Sequence, residues 1–313
     1  MSDEWPIEIE NLRKEYGEFV ALNNLNLKIK KNSFTGLLGP NGAGKSTTLK
    51  ILTHLINATS GSAYLDGVDV TVDPKKALSR VGTVIETPEF YGYLTPRETM
   101  RYVGELIGMR KERIKDQTEQ ILEKVKMTEW GDKKLGTFSK GMRQRIAIGQ
   151  SLMNDPRIII LDEPTSGLDP RGMAEMREIL KNLRNESKDL TIVMSSHILP
   201  EVQDLCDRIA MINHGNLLMD GDISKFTSIS GARTMIVQTK DIPTDDLISR
   251  IGSLEYVHDA ERFGNDIQVV INEDMDTRQR LFDDLSRMNA GVYSMYESSA
   301  LEETYLKLIK ESR

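Results

Sequence analysis

Residues 39–46 read G-P-N-G-A-G-K-S, and the fold turns on them. Gly39, Gly42 and Gly44, with Pro40, Asn41 and the small Ala43, form a loop whose backbone N–H groups can close around polyphosphate oxygens, where a Cβ would collide. Lys45 can set its ammonium between the β- and γ-phosphates, and Ser46 can offer a hydroxyl to Mg²⁺. The flanks agree. Residues 34–38 (F-T-G-L-L) are a short apolar run, predicted to be a buried strand. Residues 47–56 carry Leu49, Leu52, Leu55 and Ile56 at helical spacing. A strand, a glycine-rich loop and a helix whose N-terminus faces the anion together define a nucleotide site.

The strands and helices around this loop alternate. Leu25, Leu27 and Ile29 alternate with Asn26, Lys28 and Lys30, so the first thirty residues are predicted to form antiparallel strands with one buried face. Asp66-Gly67 marks a tight turn. Thr95, Pro96 and Glu98 compose a capping box with proline at the first helical position. Ile114, Ile121, Leu122 and Val125 mark a second amphipathic helix, and a third starts at Ser139, so residues 90–153 are expected to be a helical insert. Strand-like runs then return at Ile158, at Leu190 and on both sides of the turn N-H-G-N at residues 213–216. This pattern predicts an α/β fold with a largely parallel sheet covered on both faces.

Near Gly221 the periodicity lapses, and a domain boundary is expected there, giving residues 1–221 and 222–313. The second part orders as strand, helix, strand, strand, helix, strand, helix, with Ser299 and Glu302 capping the last helix. That order predicts a small α+β domain of ferredoxin-like type.

Composition narrows the classes of function. The 313 residues carry a formal charge of −7, with 28% charged residues, which argues against general nucleic-acid affinity. The single cysteine, Cys206, excludes an internal disulfide; with Val202 and Leu205 beside it, it is expected to be a buried thiol. The N-terminus M-S-D-E-W-P lacks a signal-peptide pattern, and no apolar run approaches membrane-spanning length.

A phosphate loop alone does not choose among kinases, GTPases and ATPases. Asp162 and Glu163 end the I-I-I-L run, a strand expected to lie beside the loop strand. There Asp162 can hold Mg²⁺ opposite Ser46, and Glu163 can orient or deprotonate a water.

At this point the chain resembles the ATP-binding cassette (ABC) family. Residues 161–170, L-D-E-P-T-S-G-L-D-P, match the Walker B motif and D-loop. Residues 138–145, F-S-K-G-M-R-Q-R, match the signature motif, usually L-S-G-G-Q. Ser195-Ser196-His197 matches the switch-histidine segment, and Tyr16 lies where the adenine-stacking aromatic stands. The match covers residues 3–221 and implies an ABC-type P-loop NTPase domain with an antiparallel β-subdomain and a helical insert.

The resemblance assigns roles. Tyr16 would stack on adenine, unless it is an ordinary exposed strand-end tyrosine. Residues 39–47, from Gly39 to Thr47, would bind ATP, and Ser46 and Asp162 would serve Mg²⁺. Glu163 would be the catalytic carboxylate and His197 would hold the attacking water. Asp169 would sit between two domains, and Ser139 and Gly141 would bind the γ-phosphate of ATP held by a second copy. Ser139 can also cap a helix whose positive end points at that phosphate.

Three positions depart from the pattern. Lys140 and Met142 replace a glycine and a glutamine of the signature. Glu86 replaces the glutamine of the Q-loop, as in exporters linked to peptide-antibiotic resistance. Glu86 can serve Mg²⁺ or its water, or be a surface acid.

The resemblance implies an ATPase subunit of an exporter. Its partners would be a second copy, in a head-to-tail dimer, and a separate multi-span membrane permease. That places the chain peripherally on the cytoplasmic face of the cell membrane. Phe90, Tyr91 and Tyr93 would either dock the permease or pack the helical insert. The ending S-A-L-E-E-T-Y-L-K-L resembles that of the drug, bacitracin-type and lantibiotic-type exporters. A soluble ABC ATPase acting on a cytosolic assembly is the alternative.

Overall fold

Two long strands open the chain, β1 (Ile7–Tyr16) and β2 (Phe19–Ile29), paired antiparallel with Ile7 opposite Ile29 and Ile9 opposite Leu27. The computed structural model describes residues 4–186, 189–224, 232–272, 274–298, 301–302, 304–305 and 308. Within this description the chain divides into two compact units, Met1–Asp222 and Ile223–Arg313.

In the first unit β3 (Phe34–Leu38) is buried along its whole length and runs into the glycine loop and α1 (Lys45–Leu52). Helix α1 is shorter than the periodicity suggests. Thr53 closes it, and His54 takes a left-handed φ of 53°, so the chain turns before Leu55, which is exposed. Strands β4 (Ser60–Leu65) and β5 (Val68–Asp69) join through Asp66-Gly67, both at positive φ, and complete a four-stranded sheet in the order β2-β1-β4-β5. Its buried side chains Ile7, Ile9, Leu25 and Leu65 share one core with Leu49 and Leu52 of α1.

After α2 (Pro74–Ala77) and β6 (Val81–Val84) come the three helices of the insert, α3 (Pro96–Leu106), α4 (Lys111–Lys124) and α5 (Lys140–Ser151). The capping box forms as expected, with Glu98 N donating to Thr95 and Thr95 N donating to Glu98. The chain then supplies β7 (Ile158–Leu161), α6 (Pro170–Glu186), β8 (Thr191–Ser196), α7 (Leu199–Leu205), β9 (Arg208–Asn213) and β10 (Asn216–Asp222). The large sheet runs β10-β9-β3-β8-β7-β6, parallel except for the edge strand β10.

This order corrects one expectation. The strand that ends at Asp162 does not lie beside the loop strand, because β8 stands between β3 and β7. The carboxyl ends of β3, β8 and β7 therefore lie in a row, which is where open α/β sheets place their ligands.

The second unit holds β11 (Ala232–Thr239), α8 (Asp245–Gly252), β12 (Val257–Phe263), β13 (Asp266–Asn272), α9 (Met275–Arg287) and β14 (Val292–Ser298). The strands form one antiparallel sheet in the order β12-β13-β11-β14, a split βαβ topology of ferredoxin-like type. Met235, Val237, Ile267 and Val269 of one face pack with Ile251 of α8 and Leu281 and Leu285 of α9. The cap expected at Ser299 lies outside the described residues, and Leu301 beyond it is buried.

Candidate nucleotide site

At Gly39 and Gly44 the loop after β3 is held by contacts that leave no room for a side chain. A Cβ on Gly39 would lie 2.2 Å from the carbonyl oxygen of Ile212, and one on Gly44 would lie 2.7 Å from Leu22. Gly44 also caps α1 at a left-handed φ of 107°. Ala43 is buried, while Asn41 and Gly42 at the crest are exposed. Thr47 lies in the first turn of α1.

Lys45, the first residue of α1, is buried and folds back over the loop. Its Nζ donates to the carbonyls of Gly39 (2.8 Å) and Pro40 (3.1 Å). Burial pushes its pKa below the ordinary lysine range, while Glu163, 3.9 Å away, and Asp162 pull it back. A cation held on neutral carbonyls, with its carboxylate neighbour beyond hydrogen-bond reach, suits an anion brought in from outside.

Asp162 stands at the end of β7. Its Oδ1 accepts from Ser46 Oγ at 3.0 Å and from Ser195 Oγ at 2.6 Å. A lone hydroxyl and a lone carboxylate make a poor all-protein metal cage. They fit Mg²⁺ well, because it keeps several waters and takes further oxygens from a substrate's phosphates. The loop, Lys45 and this pair are thus the residues that would hold Mg-ATP.

Glu163 adopts a left-handed φ of 45°, which is uncommon for a residue with a side chain. Its backbone N–H donates to Ser195 Oγ (2.8 Å). Its carboxylate meets the His197 ring, with Oε1 3.1 Å from Nδ1. Lys45, Ser46, Asp162, Glu163 and His197 thus converge at one end of the sheet.

Three other residues of interest are placed elsewhere. Tyr16 is half exposed at the end of β1, with the Lys14 ammonium 4.8 Å from its ring centroid. Glu86 also has a positive φ, 65°, and pairs with Lys50 of α1, whose pKa it raises. Exposed Tyr91 meets the rings of Tyr93 and Tyr102 at 5.7 and 6.1 Å.

The signature residues form a second surface. Ser139 caps α5 by accepting from Met142 N at 3.3 Å. Gly141 is open: a Cβ there would meet only Leu168 Cδ2, at 3.7 Å. Lys140, in place of the usual glycine, brings its ammonium against Gly167. Asp169 caps α6 by accepting from Gly172 N (2.7 Å). Among the described residues, no hydrogen bond or ion pair joins Ser139, Gly141 or Asp169 to the Lys45–Glu163 cluster.

The sequence reading missed the partners that hold these groups in place. In the sequence Ser195 stands only as part of a motif; in the fold its hydroxyl ties Asp162 to the Glu163 backbone. Nothing in the motifs points to Glu201 or Lys50. Glu201 does leave a trace: an acid on the apolar face of a short helix, four residues before Leu205 and next to Val202.

Comparisons with known proteins agree with this geometry. Residues 22–166 match the family described as ABC transporter. The lantibiotic transport ATP-binding protein SrtF of Streptococcus pyogenes is 41% identical over 214 residues, 68% of this chain and 90% of that protein. The bacitracin transport ATP-binding protein BcrA of Bacillus licheniformis is 40% identical over 212 residues, 68% of each. A dimeric ATP-binding cassette bound to ADP and Pi in a post-hydrolysis state superposes with a TM-score of 0.62 and 27% identity, over 69% of this chain and 98% of that one. The chain belongs to the ATP-binding proteins of the ABC transporter family.

Proposed function

We propose that this chain is the Mg-dependent ATPase subunit of an exporter, and that it powers a separate membrane-spanning permease through ATP-driven, head-to-tail dimerisation. One observation carries the reading. The cluster that would bind and hydrolyse ATP is assembled around Lys45, while Ser139 and Gly141 form a second, unconnected surface that ends in an open helix N-terminus. A second copy, turned by a twofold axis, brings the one surface to the other twice.

The roles follow from positions. The loop residues, Lys45 and Thr47 bind the triphosphate, and Tyr16 offers a face to adenine. Ser46 and Asp162 would hold Mg²⁺, which would supply charge neutralisation for the triphosphate. Glu163 accepts the proton of the attacking water, or orients it. His197 Nδ1 can donate to Glu163 Oε1 and steady that carboxylate, or in the other tautomer Nε2 can donate to the γ-phosphate. Ser139 and Gly141 reach the γ-phosphate of the partner's ATP, and Asp169 lies at the joint. Glu86 is held on Lys50 of α1 and could serve Mg²⁺ or its water only from there.

Relatives named for lantibiotic and bacitracin transport support an exporter of peptide antibiotics. No helix among the described residues is long and apolar enough to cross a membrane. In this reading the transport path lies in the separate permease, on whose cytoplasmic face this chain docks. The exposed rings of Tyr91 and Tyr93 suit that docking. Affinity purification of the tagged chain from detergent-solubilised membranes tests this. A stoichiometric multi-span protein, lost on Tyr91→Ala, is expected; recovery from the cytosol with ribosomal, other or no partners would contradict it.

Lys45 gives the nucleotide affinity a pH dependence. Its pKa is lowered in the free protein by burial, and bound phosphate raises it again. Affinity is therefore full below the free-state pKa and falls as pH rises from that value to the bound-state one. ATP titrations across the alkaline range should show the decline starting below the ordinary lysine pKa, with proton uptake on binding. A flat profile through that range would exclude Lys45 as the phosphate partner.

A further inference from the structure

Beneath the catalytic pair lies a buried acid that the proposed chemistry does not use. Glu201, in α7, is 4% exposed. Its Oε2 accepts from Ser196 Oγ at 2.7 Å, and its Oε1 accepts from Thr165 Oγ1. Both hydroxyls are buried as well. Ser196 immediately precedes His197, and Thr165 follows Glu163 by two residues.

Each hydroxyl has one proton, and Glu201 takes both. Ser196 Oγ is thereby left as an acceptor, and Ile198 N donates to it at 3.0 Å, which closes the turn that carries His197. We propose that Glu201 is a positioning residue: its carboxylate clamps the segment after β7 to the segment after β8, and so sets the reach of Glu163 to His197. The proposal rests on the catalytic reading of Glu163 given above.

A carboxylate suits the task better than packing would. A buried acid is costly unless its oxygens are paired, so the two hydroxyls that satisfy it cannot drift without exposing that cost. Charge-assisted hydrogen bonds are also short and directional. Ser195 supplies a matching tie on the side of the backbone facing Asp162. Between them, Ser195 and Glu201 fix the end of β7 against the end of β8 at two points. A small misplacement of catalytic groups can cost about 10²-fold in rate.

The test compares Glu201→Ala, Glu201→Gln and Thr165→Val in the full chain, with Glu163→Gln as control. Steady-state ATPase is measured alongside thermal stability. Loss of the clamp is expected to lower kcat by about 10–100-fold with KM for ATP within about 3-fold, because Lys45 and Ser46 are untouched. Glu201→Gln, which keeps the shape and one acceptor, should retain more activity than Glu201→Ala. Thr165→Val should lower kcat by a smaller factor, and adding it to Glu201→Ala should cost little more, as for residues acting through one contact.

A folded Glu201→Ala protein with lowered thermal stability but wild-type kcat would overturn the proposal. If Glu201→Ala does not fold, Thr165→Val decides: an unchanged kcat overturns the clamp and a reduced kcat at unchanged KM upholds it. Wild-type turnover by Glu163→Gln would instead sink the catalytic reading on which the clamp rests. An inactive Glu163→Gln beside a fully active Glu201→Ala would sink the clamp alone.

Discussion

Replacing Glu163 by Gln should abolish steady-state hydrolysis, by about 10²–10⁴-fold, the range for loss of a positioned general base, while leaving ATP binding intact. Gln keeps the length and an oxygen that can still meet His197 Nδ1, now 3.1 Å from Glu163 Oε1. What it removes is the negative charge, and with it the ability to accept a proton from water. Removing that charge also relieves its repulsion of an incoming γ-phosphate near Lys45 Nζ, which lies 3.9 Å from the same oxygen. The ATP-bound state should therefore persist, and with it the dimer. Light scattering should report a dimer with Mg-ATP and a monomer with ADP. A variant that stays monomeric at saturating Mg-ATP would contradict the closed, head-to-tail arrangement.

Lys45→Met is the second large effect, and it separates binding from folding. The ammonium is buried on two carbonyls, a placement that carries a desolvation cost without nucleotide. Methionine fills nearly the same volume without that cost, so the nucleotide-free protein should lose little stability or gain some. Affinity for ATP should fall by about 30-fold or more, since truncating one partner of a buried charge pair costs about 2–5 kcal/mol. The rise in Tm that ATP gives the unaltered chain should disappear accordingly. Calorimetric titration together with thermal melts checks both halves. Unchanged affinity, or collapse of the fold without nucleotide, would count against this role.

Much of this was legible in the residues, for identifiable reasons. A phosphate loop must be glycine-rich, because a Cβ at Gly39 or Gly44 would strike Ile212 or Leu22; that requirement shows in the letters. Helix caps are local too, and the Thr95–Glu98 box formed as spelled. In the second unit the βαββαβ order was readable from alternating periodicities, and the sheet closed in the order that this topology favours. Long-range facts were not readable. Nothing local says that β8 slips between β3 and β7, because strand order depends on the packing of the whole sheet. The end of α1 was overrun, since Leu55 and Ile56 continue the apolar spacing while His54 turns left-handed.

The site shows the same division. Lys45 and Asp162 could be picked out by type and spacing, and His197 by the family motif that its segment resembles. Their supports could not, because Ser195, Lys50 and Glu201 act across 32 to 36 residues of chain. Glu86 illustrates the limit. The sequence offered it as a metal neighbour or a surface acid, and its carboxylate is found on Lys50, a partner that only the fold brings near.

The most direct test of the shared-site account mixes two inactive variants. Lys45→Met holds ATP too weakly to turn it over. Gly141→Asp leaves its own protomer unstrained, because the position is open, but sets a carboxylate against the γ-phosphate of a partner's ATP. In a mixed dimer one site carries both lesions and the other carries none. Equal mixing should therefore restore about one quarter of wild-type ATPase activity, half of the dimers having one intact site of two. A mixture no more active than its separate components would contradict the claim that each site is built from two copies.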